Sequence, residues 1–445
     1  MTVLVVTNDF PPRQGGIETF VRSLCDQLPE VVVYTSHEVG DTAYDATLPF
    51  PVIRDRTSML LPTARVTKRA VGLMREHGAD RILFGAAAPL GLMGPALRRA
   101  GARRIVAMTH GHETWWAGVP GARRALRRIG DAADTVTTVS SWCADRIAPA
   151  LSPAAAQRMR RLTPGVDTRR FAPGCGGEQI RKGLGLDGVP VVACVSRLIR
   201  RKGQDTLIRA WSRVQKSVPD ARLLLVGGGP DREYLEDLAV AVGVADAVVF
   251  TGPVPWAEIP PYVDAADVFA MPCRTRRFGL EPEALGIVTL EASATGKPVL
   301  VGDSGGASDT VVHGTTGYLV DPYNPDAVGV RLVELLTNAE DRAAMGAAGR
   351  TGSRTSGPGR GRAPFCGNCW TRDAPGRGNS DVSGGQRAAG VVYSGRHAPN
   401  VPTCRSRTSF MLSGCRGLTF THFHRRPETV RRCCCLCSPV VWFRS

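Results

Sequence analysis

The chain reads as an α/β protein made of two Rossmann-like, doubly wound domains facing a cleft. Three observations predict this. Short apolar runs alternate with longer amphipathic segments, the alternation restarts once, and a Gly/Pro-rich link separates the two series. Strands of a parallel sheet are covered on both faces, so they appear as unbroken apolar runs rather than alternating ones. Two such series, each interleaved with helix-length segments, make two sheets.

In the first series, residues 3–6, 31–34, 81–84, 104–108 and 135–139 are predicted strands, with helices over 16–28 and 67–77. In the second, strands are predicted at 191–195, 221–226, 247–250, 268–271 and 298–301, and helices at 204–214, 231–242, 287–294 and 325–336. The link near residues 173–177 divides a domain over 1–175 from one over 176–350.

The 445 residues carry a net charge of +16, which by itself points to nucleic acid. Most of that charge lies in one place. Residues 351–445 hold 15 Arg, no Lys and three acids (Asp373, Asp381, Glu428), a balance of +12, together with 8 of the 13 Cys. Residues 1–350 hold 41 basic and 37 acidic residues, or +4, so no nucleic-acid partner is expected. Their five scattered cysteines make no disulfide framework, which suits a reducing cytoplasm. The opening Met1-Thr-Val-Leu-Val-Val runs into Thr7-Asn-Asp9 without the charged lead and long apolar core of a signal peptide. The weakly apolar stretch 85–97 is too short and too rich in Gly and Pro to span a bilayer, so no membrane-crossing segment is expected.

After Arg350 the pattern breaks. A disordered basic tail is one reading. A shifted reading frame is preferred, because Thr351-Gly-Ser-Arg-Thr-Ser-Gly-Pro-Gly-Arg360 can be encoded so that a one-base shift yields a tryptophan-bearing stretch and then an amphipathic helix.

Five constellations carry chemistry. Asn8-Asp-Phe-Pro-Pro-Arg-Gln-Gly-Gly16 joins the first strand to the first helix; Gly15 and Gly16 allow close backbone approach, and the helix start offers N–H groups to an anion, although a plain tight turn looks the same. Thr109-His-Gly-His-Glu113 ends the fourth strand. Two His with an acid resemble metal-ligand spacing, but not the helical His-Glu-x-x-His, and the cysteines are dispersed. Zinc is therefore the least favoured reading, behind a hydrogen-bonded loop histidine and, the favoured reading, a histidine aimed at a sugar. Ser196-Arg-Leu-Ile-Arg-Arg-Lys-Gly203 puts Arg197 and Lys202 at a strand's carboxyl end, where two fixed cations neutralise a diphosphate; Arg200 and Arg201 read as solvated. Leu223-Leu-Leu-Val-Gly-Gly-Gly229 supplies a second Gly-rich turn, a weak signal alone. Glu283 and Glu291 stand eight residues apart, so both are predicted on one helical face, where ribose and hexose hydroxyls would partner them. No Asp-x-Asp occurs, so no metal is expected at the diphosphate.

Taken in order, Arg197-x4-Lys202 and Glu283-x7-Glu291 resemble the donor-site signature of the retaining glycosyltransferases of family 4, over residues 1–350. Thr7-Asn-Asp-Phe-Pro-Pro, Phe84-Gly-Ala-Ala-Ala-Pro-Leu90, Arg201-Lys-Gly-Gln-Asp-Thr206 and Phe269-Ala-Met-Pro-Cys-Arg-Thr-Arg276 look like the branch that mannosylates an inositol lipid. The resemblance implies the GT-B fold, GDP-mannose as donor, phosphatidylinositol monomannoside as acceptor, no metal cofactor, and work at the inner membrane surface. It further implies that Arg197 and Lys202 bind the diphosphate with Gly15 and Gly16, that Glu283 holds the hexose and Glu291 the ribose, and that Val254 meets guanine. His110 would sit beside the reacting sugar, with Asp9 and His112 toward the acceptor.

The segment Gly121-Ala-Arg-Arg-Ala-Leu-Arg-Arg-Ile129 places Arg123, Arg124, Arg127 and Arg128 on one helical side beside Leu126 and Ile129. It reads as a lipid-facing amphipathic helix or as a solvated one. Two alternatives stay open: a related transferase with another nucleotide-sugar donor and a soluble acceptor, and an inactive nucleotide-sugar-binding remnant caused by the altered C-terminus, where the family's final helix returns to the first domain.

Overall fold

The computed structural model describes residues 2–355. The shifted-frame reading and the family's returning helix concern residues that, past Thr355, lie outside the described ones.

Two wholly parallel sheets form, one from each series, within one compact unit. The first contains β1 (Thr2–Val6), β2 (Glu30–Thr35), β3 (Val52–Arg54), β4 (Arg81–Phe84), β5 (Arg104–Met108), β6 (Thr135–Thr138) and β7 (Met159–Arg161), in the order β3-β2-β1-β4-β5-β6-β7. The second contains β8 (Val191–Val195), β9 (Arg222–Val226), β10 (Val248–Gly252), β11 (Val268–Met271), β12 (Val299–Gly302) and β13 (Gly317–Val320), in the order β10-β9-β8-β11-β12-β13.

The predicted strands were apolar because they are the core: Leu4 to Val6, Ile82 to Phe84, Val191 to Ala193 and Val268 to Met271 are essentially inaccessible. Helices cover each sheet as right-handed parallel crossovers require. Gly16–Cys25 and Ala64–Glu76 belong to the first lobe; Gln204–Ser217, Arg232–Val242, Ile287–Ala294 and Pro325–Thr337 belong to the second.

Three strands escaped sequence reading. β3 and β7 are three-residue edge strands, the latter polar, with no apolar run to announce them. β13 opens on Gly317 at φ 150°, where a Cβ would lie 1.9 Å from the Val299 carbonyl oxygen. The need for glycine there comes from a neighbouring strand, not from local sequence.

In each sheet the chain direction of build-up reverses once, between β1 and β4 and between β8 and β11. Ligands of open α/β sheets bind at such switch points, beyond the carboxyl ends of the strands. The loops leaving β1, β4, β8 and β11 bear sequence motifs, as do those leaving the neighbouring strands β5 and β9.

Candidate active site

The loop after β8 is fixed from beneath by the glycine turn after β9. Leu198 N–H donates to the Gly228 carbonyl at 2.9 Å. A Cβ on Gly227 would stand 2.1 Å from the Ser196 oxygen, and one on Gly229 would stand 2.4 Å from the Leu198 oxygen. The glycines of this second Gly-rich turn serve packing: they let the Arg197 loop lie directly on β9. Gln204 Nε2 reinforces it with bonds of 2.9 Å to Ser196 Oγ and the Arg197 carbonyl. Arg197 itself is exposed, and among the described residues its guanidinium has no partner.

Lys202 ends a short 3-10 turn and is held by Gly203 at φ 79°, whose missing Cβ would otherwise overlap the Pro272 oxygen at 2.0 Å. Its Nζ donates to Glu283 Oε2 at 2.6 Å, with both side chains nearly buried. Burial alone would raise Glu283, but Lys202 and Arg201 outweigh it and hold the carboxyl below its ordinary range. Arg201 was expected in solvent. Instead its Nε is buried, with no hydrogen-bond partner among the described residues, and its charge acts on Glu283. Arg200 is engaged as well, over the Tyr234 ring at 3.2 Å and 3.4 Å from Asp231.

A second correction concerns Glu283 and Glu291, which do not share a helical face. Gly286 takes φ 82° and the helix begins at Ile287, so Glu283 lies in the preceding loop while Glu291 lies in the helix. Spacing near two helical turns was coincidental. Glu283 is clamped through its backbone: its carbonyl accepts Gly306 N–H at 2.8 Å and its N–H reaches Ser304 Oγ at 3.3 Å. Glu291 is buried, and among the described residues its carboxylate accepts no hydrogen bond. Burial pushes its carboxyl up to about 7, against the pull of Arg170. Arg170 in turn stacks on Trp256, two residues beyond the half-buried Val254.

From the first lobe, His110 is buried after β5. Its Nε2 bonds the Gly85 carbonyl after β4 at 2.5 Å, and its ring meets Phe20 edge-on at 6.0 Å. Burial lowers its pKa, with Glu113 opposing, so the ring is neutral at pH 7. With the proton on Nε2, Nδ1 remains an acceptor. Glu113 is fully buried; it accepts His110 N–H at 3.0 Å and lies 3.2 Å from His112 Nε2. Among the described residues no three ligand-type side chains gather to hold a metal.

The two lobes meet at the neighbour of Glu283. Ser140 Oγ donates to the Ala284 carbonyl at 2.8 Å, and a Cβ on Gly111 would lie 2.4 Å from that of Ala284. Asp309 receives both the N–H and the hydroxyl of Ser141 at 2.6 Å, with Arg161 at 3.4 Å. Sequence reading missed Ser140, Ser141 and Asp309 because nothing local marks a serine as facing another lobe.

At the start of helix Gly16–Cys25, the Glu18 carboxylate folds back so that a Cβ on Gly15 would stand 2.1 Å from it. Arg13 pairs with Glu18 at 3.2 Å and reaches Asp9 at 3.9 Å. Gly16 is different: a Cβ there would meet no atom within 4 Å.

Arg123, Arg124, Arg127 and Arg128 line the exposed side of helix Pro120–Ala132. Their apolar neighbours do not join them. Leu126 and Ile129 are buried in the first core, so this helix presents a basic face rather than an amphipathic one.

Comparison with known proteins gives the family. The pattern described as Glycosyltransferase Family 4 matches residues 14–170, and that of Glycosyl transferases group 1 matches residues 177–352. A Mycolicibacterium smegmatis protein named GDP-mannose-dependent alpha-(1-6)-phosphatidylinositol monomannoside mannosyltransferase is 50% identical over 355 residues, covering 78% of this chain and 92% of its own. The chain is a family 4 glycosyltransferase.

A Corynebacterium glutamicum relative, named for the monoacylated form of the same acceptor, is 44% identical over 354 residues, with the same 78% and 92% coverage. Among solved structures, Anabaena Alr3699/HepE in complex with UDP superposes with a TM-score of 0.67 at 21% identity, covering 80% of this chain and 95% of its own. Sucrose-phosphate synthase from Thermosynechococcus elongatus gives 0.64 at 23%, covering 80% and 94%. These two establish the GT-B fold: this glycosyltransferase has two Rossmann-like lobes, which meet where Ser140 and Gly111 reach Ala284.

Proposed function

We propose that this glycosyltransferase moves α-mannose from GDP-mannose to the inositol 6-position of phosphatidylinositol monomannoside, giving the dimannoside with retained configuration. The observation carrying this reading is the 50% identity to the mycolicibacterial mannosyltransferase across 92% of that protein. The site chemistry supports it.

Arg197 is an exposed, unengaged cation on a rigid loop, suited to one phosphate of the donor. Lys202 serves the other while staying against Glu283, so one acid orients both the ammonium and the hexose hydroxyls. The open space over Gly16 lets a phosphate approach the helix N-terminus, which favours negative charge. Glu291 accepts from the ribose diol, and Val254 meets the guanine through its backbone. His110, neutral with Nδ1 free to accept, orients the mannose; Asp9 and His112 face the acceptor.

No protein nucleophile is assigned. The departing diphosphate takes the acceptor hydroxyl proton on the face where the new bond forms, and the protein contributes orientation and fixed positive charge. Arg197 and Lys202 fill the role that a metal would otherwise have at the leaving group.

Among the described residues no helix is long and apolar enough to cross a membrane. The lipid acceptor is instead reached from the cytoplasmic membrane surface. The arginine face of helix Pro120–Ala132, with exposed Trp115 and Val119 just before it, supplies electrostatic adsorption and an interfacial aromatic.

Radiolabelled transfer from GDP-mannose to phosphatidylinositol monomannoside tests the whole reading. Equal or better transfer from UDP-glucose, or to a soluble inositol phosphate, would replace it with the second donor–acceptor class.

A further inference from the structure

We propose that Arg170 is a positioning residue for the donor nucleoside: from the segment joining the lobes, it holds the Trp256 loop in place while its charge acts on Glu291. The inference rests on the nucleotide-sugar reading above and adds a residue outside every motif used there.

Arg170 lies between the end of β7 at Arg161 and helix Gly177–Leu184. Asp167 forms a turn around it, accepting the N–H groups of Arg169 at 3.0 Å and Arg170 at 3.4 Å on its carboxylate, and that of Phe171 at 2.8 Å on its carbonyl. The segment is pinned from behind, since Arg350 donates to the Phe171 carbonyl at 2.7 Å and the Thr168 carbonyl at 3.0 Å. From this fixed base the guanidinium lies 3.6 Å from the Trp256 ring centroid, and its Nη2 donates to the Trp256 carbonyl at 2.5 Å. Stacking plus a directed bond is a task for planar arginine, not for lysine. It orders a loop whose tryptophan is otherwise 46% exposed and whose Val254 is assigned to the base.

The same guanidinium is the charge that acts on Glu291 among the described residues. Other charged groups on the packed elements are occupied elsewhere. Asp167 faces Arg170; Arg350 serves backbone carbonyls; Asp264 pairs with Lys297 at 3.5 Å; Asp309 holds Ser141 and Arg161. A buried carboxylate must be ionised to accept both hydroxyls of a ribose diol, and Arg170 favours that ionised form. Base loop and ribose acid therefore depend on one side chain.

Calorimetric titration of the full chain with GDP, between pH 6 and 9, compares wild type with Arg170→Gln and Arg170→Lys. Wild-type affinity is expected to fall as pH drops through about 7, where Glu291 takes a proton. In Arg170→Gln that fall moves upward, so binding at pH 7.5 weakens by about tenfold and partly recovers by pH 9. Arg170→Lys keeps the wild-type midpoint but binds more weakly at every pH, because charge remains and stacking is lost. In transfer assays the Gln variant raises the KM for GDP-mannose and leaves kcat within twofold. A Gln variant whose midpoint matches wild type overturns the proposal, whether affinity is unchanged or uniformly lowered. If that variant does not fold, the Lys variant decides, and a shifted midpoint there overturns it. Wild type that binds no GDP at any pH removes the nucleotide-sugar reading and this inference with it.

Discussion

Lys202 Nζ lies 2.6 Å from Glu283 Oε2, joining the loop after β8 to the loop after β11 across the switch point of the second sheet. The pair is nearly buried, so neither residue is independent of the other. Removing one charge leaves its partner unpaired in a poorly hydrated place, which typically costs about 3–5 kcal/mol.

Lys202→Ala is therefore expected to act twice. Mannosyl transfer falls by about 10²–10³, the usual loss for one charge-stabilising donor, and the melting temperature drops because Glu283 is stranded. Glu283→Gln with Lys202 intact repeats the stability loss. Radiolabel transfer and thermal unfolding of both variants check this; undiminished turnover in Lys202→Ala removes the diphosphate role.

Glu291 sets a pH dependence of stability with a definite sign. Its carboxyl is raised from 4.5 to about 7 in the folded protein. Its contribution is thus fully present below pH 4.5 and lost as pH rises through 7. Glu291→Gln is expected to stabilise the fold at pH 8 by up to about 3 kcal/mol and to change little near pH 4.5. The same variant binds GDP more weakly. Denaturant titrations at the two pH values measure the first effect, and calorimetry the second.

The serine contacts between lobes bear on the donor loop. Ser140→Ala removes the bond to the Ala284 carbonyl and the cap on Cys143 N–H. It should cost about 1 kcal/mol as a cap alone and raise the KM for donor, since Ala284 directly follows Glu283. Asp309→Ala frees Ser141 and Arg161 together and should raise the KM further. Steady-state kinetics at varied GDP-mannose distinguish this from a pure stability loss, which lowers active fraction without moving KM.

Gly227→Ala is expected to displace the Arg197 loop. The new methyl group stands 2.1 Å from the Ser196 oxygen, and φ 136° already disfavours an L-residue. Backbone atoms cannot retreat cheaply, so weaker GDP binding and a lowered melting temperature should appear together. Gly16→Ala, facing open space, should leave the melting temperature unchanged and impair only donor binding.

Replacing Arg123, Arg124, Arg127 and Arg128 with Gln should weaken adsorption to phosphatidylglycerol vesicles. Each basic residue near an anionic surface is worth about 1 kcal/mol, so the combined loss exceeds 10² at low salt. GDP affinity should not change. Vesicle sedimentation with and without salt measures it; unaltered sedimentation points to another contact surface.

Apolar runs and motif spacing determined the two-sheet plan, the positions of ten strands, and the choice of Arg197, Lys202, Glu283, Glu291 and His110 as candidate polar groups, all but Glu291 in loops that follow strands. Those features are legible because burial on both faces of a parallel strand and charge at its carboxyl end are properties of short, continuous segments. Tertiary structure alone decided which groups meet. It put Glu283 in a loop rather than on a helix, buried the Arg201 Nε, turned the glycines after β9 toward the Arg197 loop, and sent Leu126 and Ile129 into the core. It also supplied Ser140, Asp309 and Arg170, whose partners are 144, 168 and 86 residues away along the chain. Contacts at such separation leave no periodic trace in sequence; they arise only when two separately packed sheets bring their loops together.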